Sequence, residues 1–412
     1  MQSPHTPTKE QLAWQDWELG MFFHFGINTF TGREWGDGSE DPALFNPTEL
    51  DCRQWARVAR EAGVRYALLT AKHHDGFCLW PTRVTEHCVR NSPWKNGQGD
   101  VAREFVDACR AEGIEPGFYC SPWDRNAACY PDPAAYSDFY AKQLEELCSN
   151  YGPLSVLWFD GAGSDGYTYD WPRIMEVIHR LQPQAQIFGM GDRTVRWGGN
   201  EEGFGPPDLW LTIDEKNQRA LPEDSQQALP ETARYIPAEM DTVINRSGWF
   251  WHPNSQEQLR SLDELVGVYY RSVGHGANLL LNLAPNRQGL LDEHDVQRLM
   301  ELRHEIDRRF AHPVGSAENG TDMLEITLDK PALVTRFAAM EDLQQGEHVL
   351  EWRLEAEVET YHTSPWHLLA SGNALGHKRL GDFAPITSRH FRLRVLRAYG
   401  QPRLRSLTLY AP

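Results

Sequence analysis

The sequence has no run approaching the roughly 18 consecutive apolar residues of a membrane span, so no bilayer-crossing helix is expected. Its start, MQSPHTPTKEQLAWQDW, lacks the apolar segment behind a basic head that marks a secretion signal. A cytoplasmic protein is therefore expected, with a secreted or periplasmic chain trimmed of its leader as the alternative. Basic residues are scarce. Forty Lys plus Arg stand against 58 Asp plus Glu, and the net charge of -18 argues against a nucleic-acid partner or attachment to anionic lipid. The seven cysteines contain no C-x-x-C pair and all lie in the first 150 residues, which disfavours a disulfide framework or zinc knuckle and predicts buried thiols. There is no repeat of solenoid length and no low-complexity tract.

What remains is ordinary globular composition, 41% apolar and 24% charged over 412 residues, enough for one large barrel with an appendage or for two to three domains. Fifteen Trp and an aromatic content of 11% are high. Flat aromatic faces suit a neutral, hydroxyl-rich ligand, and they equally suit a large core.

Short apolar runs alternate with amphipathic stretches through the first three quarters of the chain, the rhythm of βα units on a parallel sheet. Strands are predicted over residues 20–27, 66–70, 114–120, 154–159, 186–190 and 277–283. Between them, helices are predicted from an Asn46 cap with Pro47 at the first position to Gly63, and over 101–112, 134–150 and 171–181. Two more are expected, around the Leu259 to Tyr269 stripe and around Leu299 and Met300. Counting gives seven or eight units, close to a (β/α)₈ (TIM-type) barrel, although residues 191–253 are too irregular for strands to be placed. From about Ala311 the period changes to two, as in Trp352, Leu354, Ala356 and Val358, which predicts a separate C-terminal β-sandwich. The reading is a barrel over residues 1–314 and a sandwich over 315–412, the latter most economically a scaffold.

In such a barrel the active site forms at the C-terminal ends of the strands, so the polar residues just after each apolar run are the candidates. Strand one ends in His24, with Glu34 and Trp35 beyond it. Strand two runs into Lys72, His73, His74 and Asp75; strand three delivers Tyr119; strand four delivers Trp158 and Asp160. Any one of these alone is more simply structural, but polar ends on four successive strands are harder to dismiss. The histidines with Asp75 and Asp160 fit a metal-dependent barrel hydrolase. A glycosidase instead needs two carboxylates flanking the scissile bond, and Asp160 has possible partners in Glu201, Glu202 and Glu239.

The tracts GMFFHFGINTFTGREW, LLTAKHHDGFCLWPT, GDVAREFVDACRAEGIEPGFYCSPWDRN, LWFDGA and GANLLLNLAPNRQG, in this order, resemble the α-L-fucosidases of glycoside hydrolase family 29. The resemblance covers most of residues 13–290 and implies a barrel joined to a β-sandwich. It also implies retaining hydrolysis of terminal α-L-fucosides through a covalent intermediate on Asp160. By the same resemblance His24, Glu34, Trp35, His73, His74, Tyr119 and Trp158 bind fucose, and the histidines need neither metal nor cofactor. The tract RWGGNE is similar to the branch acting on α1,3- and α1,4-linked fucose of Lewis-type glycans, which makes Glu201 the general acid/base. Glu239 is the second candidate, and Arg246, Trp249 and Trp251 are weaker candidates for substrate contact. Burial and the neighbouring Asp160 charge are expected to hold the proton on Glu201, with the two carboxyl groups about 5 to 5.5 Å apart. The Glu201 loop is expected to order on substrate binding. The expected partner is a fucosylated oligosaccharide or glycoconjugate, and the rivals are the metal hydrolase and a non-catalytic fucose-binding lectin.

Overall fold

The structure, a computed structural model, describes residues 5–216, 219–220, 231–358 and 365–412. Strands β1 (Leu19–Phe23), β2 (Tyr66–Lys72), β3 (Glu115–Cys120), β4 (Val156–Trp158), β5 (Gln186–Phe188) and β6 (Arg196–Trp197) come first. Strands β7 (Thr212–Asp214), β8 (Arg219–Ala220) and β9 (Ala233–Tyr235) form a small antiparallel sheet of their own, after which β10 (Ala238–Val243) and β11 (Asn278–Asn282) rejoin the main sheet. Its order is β5-β4-β3-β2-β1-β11-β10-β6, with all neighbours parallel. A parallel bridge from Phe188 to Val195, with the Val195 N–H donating to the Ile187 carbonyl at 3.0 Å, brings the two ends together and nearly closes the eight strands into a barrel.

The helices start where the sequence supplies a carboxylate for the free N–H groups of a first turn. Asp51 caps α3 (Cys52–Glu61), Asp100 caps α4 (Val101–Ala111), Asp132 caps α5 (Pro133–Asn150) and Asp170 caps α6 (Trp171–Leu181). They follow α1 (Lys9–Gln15) and α2 (Ile27–Thr31) and precede α7 (Leu262–Arg271), which opens on a Ser261–Glu264 capping box, and α8 (Glu293–Phe310). Apolar faces of the packed helices meet the outer sides of the strands in one core, while Phe22, Tyr66, Leu68, Tyr119, Trp158, Phe188 and Leu280 fill the barrel from within. Each large apolar side chain so buried contributes roughly 1.5–3 kcal/mol.

Two expectations need correction. The helix predicted from Asn46 begins at Cys52, because the Asp51 carboxylate accepts from the Arg53 and Gln54 N–H groups. Strand one stops at Phe23 rather than continuing to Ile27. Beyond it the His24 N–H is taken by the Asn282 side chain and the Phe25 N–H by the Thr70 hydroxyl, so the ladder has no donors to continue. Within residues 191–253 the sixth and seventh barrel strands are β6, only two residues long, and β10. They are separated by the β7–β9 excursion, part of which (217–218 and 221–230) lies outside the described residues.

The C-terminal part is a six-stranded antiparallel sheet in the order β12-β17-β13-β16-β14-β15. It runs from β12 (Pro313–Gly320) through β13 (Met323–Glu341), β14 (Val349–Glu357), β15 (Trp366–Gly372) and β16 (Arg379–Ala398) to β17 (Leu404–Tyr410). The long strands β13 and β16 carry register shifts, and both halves of β13 (Leu324 and Ile326, then Val334 and Phe337) feed one apolar cluster with Trp352, Leu393 and Leu407. Trp352 is thus core. The sheet braces the barrel: the Glu347 carboxylate accepts the Leu211 and Thr212 N–H groups of the excursion, and His377 and Lys378 pair with Glu18 just before β1.

This interface makes stability depend on pH. Burial, aided by the Glu347 charge, pushes Glu341 up to about 8, and burial pushes Glu347 up to about 7 despite its two N–H donors. The folded chain therefore keeps protons that the unfolded chain loses above about 4.5, and stability falls as pH rises through that window. At the acid end, burial of Glu18 is outweighed by His377 and Lys378, which hold it down to about 2, so stability also falls as pH drops below 4.5. In thermal melts from pH 5 to pH 8.5 the Tm–pH slope of Glu341→Gln should be more positive than that of the parent chain, because the variant has no carboxyl to ionise there. An unchanged slope in that variant refutes the assignment.

Candidate active site

A cleft of about 770 Å³ opens at the C-terminal ends of the barrel strands. Asp160 stands on its wall, two residues beyond the end of β4, with its side chain about a quarter exposed. Its Oδ2 accepts the Tyr119 hydroxyl at 3.0 Å and faces His74 Nε2 at 3.6 Å, and its Oδ1 accepts the Ala162 N–H at 2.8 Å. The carboxylate is thereby held by two hydrogen bonds, with His74 beside it, and still presents itself to the cleft.

The histidines are neutral. Burial lowers His24 to about 3, lowers His74 to about 4 despite the Asp160 charge, and lowers His73 well below its ordinary value. The Asn282 amide donates to the Trp249 carbonyl at 2.8 Å, which turns its oxygen toward His24 Nδ1 at 2.8 Å. His24 Nδ1 therefore carries the hydrogen and donates, leaving Nε2 as an acceptor. His73 lies parallel to Tyr119 at 5.5 Å, and its ring is 4.1 Å from that of His74. Because β2 ends at Lys72, the two adjacent histidines sit on a loop and can share one side. His24 and His73 line the cleft, whereas His74 stands behind Asp160 with Nδ1 at 2.7 Å from the Ser121 hydroxyl.

Trp158 lies against the Phe188 ring (4.1 Å, 9°) and the Tyr119 ring (5.3 Å, 25°) and forms an aromatic floor. The exposed Trp35 rises on the rim, edge-on to His74 and Trp123. Glu34, which also lines the cleft, accepts the Trp249 N–H at 2.9 Å and the Phe250 N–H at 3.3 Å and faces His252 Nε2 at 2.8 Å. Gly248 permits this approach, since a Cβ there would fall 2.2 Å from Glu34 Oε1. Trp249 is brought to the wall, 5.0 Å from the His24 ring.

Glu201 lines the same cleft as Asp160. Its backbone is tied to β10, where the Thr242 hydroxyl donates to the Glu201 carbonyl at 2.7 Å, while Glu202 turns away to Arg260 at 3.1 Å. The Asn200 side chain closes the turn by accepting the Glu202 and Phe204 N–H groups. The expected burial of Glu201 is not found: the residue is exposed where it lines the cleft.

Three further candidates lie elsewhere. Glu239 has no exposed surface and sits beneath Trp158, accepting from its indole N–H at 2.9 Å and from the Tyr66 hydroxyl at 2.5 Å, so it cannot reach a ligand. Burial raises it to about 7. Arg246 pairs with Glu264 at 2.9 Å, and Trp251 donates to Asp292 at 2.7 Å; neither lines the cleft. Among the described residues no three His, Cys, Asp or Glu side chains converge with metal-ligand geometry. Among the residues of the site that the sequence reading did not single out are Asn282, His252, Asp241 and Trp197. The last two line the cleft, where the Trp197 indole donates to Asp241 at 2.6 Å. A lone Asn inside LLLNL and the alternation of Glu239 with Asp241 in AEMD are the signals that would have pointed to two of them.

The family model described as Alpha-L-fucosidase matches residues 39–304. Alpha-L-fucosidase 1 of Arabidopsis thaliana is 35% identical over 98% of this chain and 87% of its own length. A glycoside hydrolase 29 family member from an unknown rumen bacterium is 37% identical with a TM-score of 0.88, covering 100% of this chain and 78% of its own. A Ruminococcus gnavus GH29 fucosidase solved in complex with fucose is 28% identical with a TM-score of 0.86, covering 100% of this chain and 95% of its own.

Proposed function

The chain belongs to the alpha-L-fucosidase family, glycoside hydrolase family 29, and from that premise we propose that it releases terminal α1,3- and α1,4-linked L-fucose from branched oligosaccharides with retention of configuration. The observation that carries this reading is Asp160, held by the Tyr119 hydroxyl and the Ala162 N–H beside His74, on the wall of a cleft that also holds Glu201.

In the proposed reaction the Asp160 carboxylate attacks C1 of fucose as Glu201 gives its proton to the departing glycosidic oxygen. Water then attacks the fucosyl ester, delivering a proton back to Glu201 and freeing Asp160. Substrate covering the exposed Glu201 would exclude water from the acid and place the two carboxyl groups about 5 to 5.5 Å apart. Neutral His24 offers Nε2 as an acceptor, its Nδ1 being taken by Asn282, and neutral His73 has one donor and one acceptor nitrogen, groups that read sugar hydroxyls. The Trp158 floor and the Trp35 and Trp249 walls take the apolar faces of the ring and its methyl group.

The linkage preference rests on the RWGGNE tract and on the breadth of the cleft beyond Asp160. The cleft is lined by Asp165, Met190, Arg193, Arg196, Trp197 and Asp241 besides the residues above, and its volume is within the range of about 300–1,000 Å³ that buries a whole small ligand. The test is fucose release from Lewis a, Lewis x, 2'-fucosyllactose and an aryl α-L-fucoside, side by side. The two Lewis glycans should exceed 2'-fucosyllactose in kcat/KM by about tenfold or more. Equal rates on 2'-fucosyllactose would remove the linkage assignment, and no release from any substrate would remove the enzyme. Exhaustive chelation should leave the rates unchanged, whereas lost activity restored by a divalent metal would favour the metal-hydrolase reading.

A further inference from the structure

Glu239 is an acid buried inside the barrel with two partners, the Tyr66 hydroxyl on Oε2 and the Trp158 indole N–H on Oε1, neither of them a cation. Burying a carboxyl there carries a desolvation cost that these two hydrogen bonds offset. What it secures is the orientation of Trp158. The Phe188 and Tyr119 rings fix the plane of that indole, but stacked rings can still turn within their planes; a hydrogen bond at Nε1, on the side away from the cleft, removes that freedom. Two routes lead from Trp158 to Asp160. Trp158 ends the three-residue strand β4 only two positions earlier, and the Tyr119 stacked on it donates its hydroxyl to Asp160 Oδ2.

We propose that Glu239 is a positioning residue for α-L-fucoside hydrolysis: without touching the sugar, it sets the in-plane angle of Trp158 and so the placement of the fucose ring against the Asp160 carboxylate. The claim rests on the fucosidase reading above.

Glu239→Met fills a similar volume with no acceptor for the indole. It should lower kcat/KM on an aryl α-L-fucoside by ~10–100-fold, read at a temperature where both chains stay folded, while the Trp158 donor left without an acceptor lowers Tm. Glu239→Gln, whose amide oxygen still accepts from the indole, should keep kcat/KM within about threefold. In a Trp158→Phe background, where the indole N–H is gone, Glu239→Met should cost nothing further. A Met variant with the wild-type rate, a Gln variant as poor as Met, or additive losses in the cycle would overturn the proposal. So would a chain that fails to fold with either Met or Leu at 239, since the acid would then serve the fold. If the wild-type chain itself released no fucose, the parent reading would fail; full wild-type activity beside an equally active Met variant removes only the positioning role.

Discussion

Asp160→Ala should lower kcat/KM on an aryl α-L-fucoside by on the order of 10⁴-fold or more, with the thermal melt close to that of the parent chain. The size follows from the proposed role: without the carboxylate there is no covalent route, and binding by the histidines and aromatic rings alone leaves only residual acceleration. The melt should change little because the Asp160 side chain is about a quarter exposed and its partners retain other contacts: His74 keeps Ser121, and Tyr119 keeps its packing on Trp158. The truncated side chain also leaves room for a small nucleophile. Added azide should restore turnover and yield β-fucosyl azide, since attack comes from the face that Asp160 occupied. A variant retaining a tenth of the parent rate would end the assignment of Asp160.

Glu201→Gln should separate substrates by their leaving groups. Aryl fucosides with strongly acidic phenols need no proton to depart, so their kcat/KM should remain within about tenfold, whereas Lewis-type glycans should lose roughly 10²–10⁴-fold. For the activated substrates kcat and KM should fall together, because the second step still needs Glu201 to take a proton from water and the fucosyl ester accumulates. Equal losses on both substrate classes would move the acid/base elsewhere. Glu202 and Glu239 are poor replacements, since the first is turned to Arg260 and the second is sealed beneath Trp158.

Much of this site was legible in the chain because β1 to β4 announce themselves as apolar runs that end in polar residues. His24, His73, Tyr119, Trp158 and Asp160 could be placed by counting to the ends of those runs, and all line the cleft. Legibility failed where the barrel departs from its own rhythm. Strand β6 has two residues and no helix before it, so it leaves no periodic trace, and the β7–β9 excursion separates it from β10. That gap hid the direction of the side chains on β10: only the parallel register of β10 with β11 shows Glu239 lying deep in the barrel and Asp241 one layer higher, at the cleft. Asn282 and His252 were invisible for another reason. Their partners, His24 and Glu34, lie more than 200 residues away in sequence, and no local pattern encodes such a pairing.

The most direct test of the account is to inactivate the protein with 2-deoxy-2-fluoro-L-fucosyl fluoride, digest it, and locate the added mass. The electronegative fluorine slows both steps and the fluoride leaves without acid help, so a covalent intermediate should accumulate. The account predicts one fluorofucosyl group per chain, on the peptide containing Asp160 and on that side chain. An adduct on any other residue, or turnover to 2-deoxy-2-fluoro-β-L-fucose with no adduct formed, would contradict it.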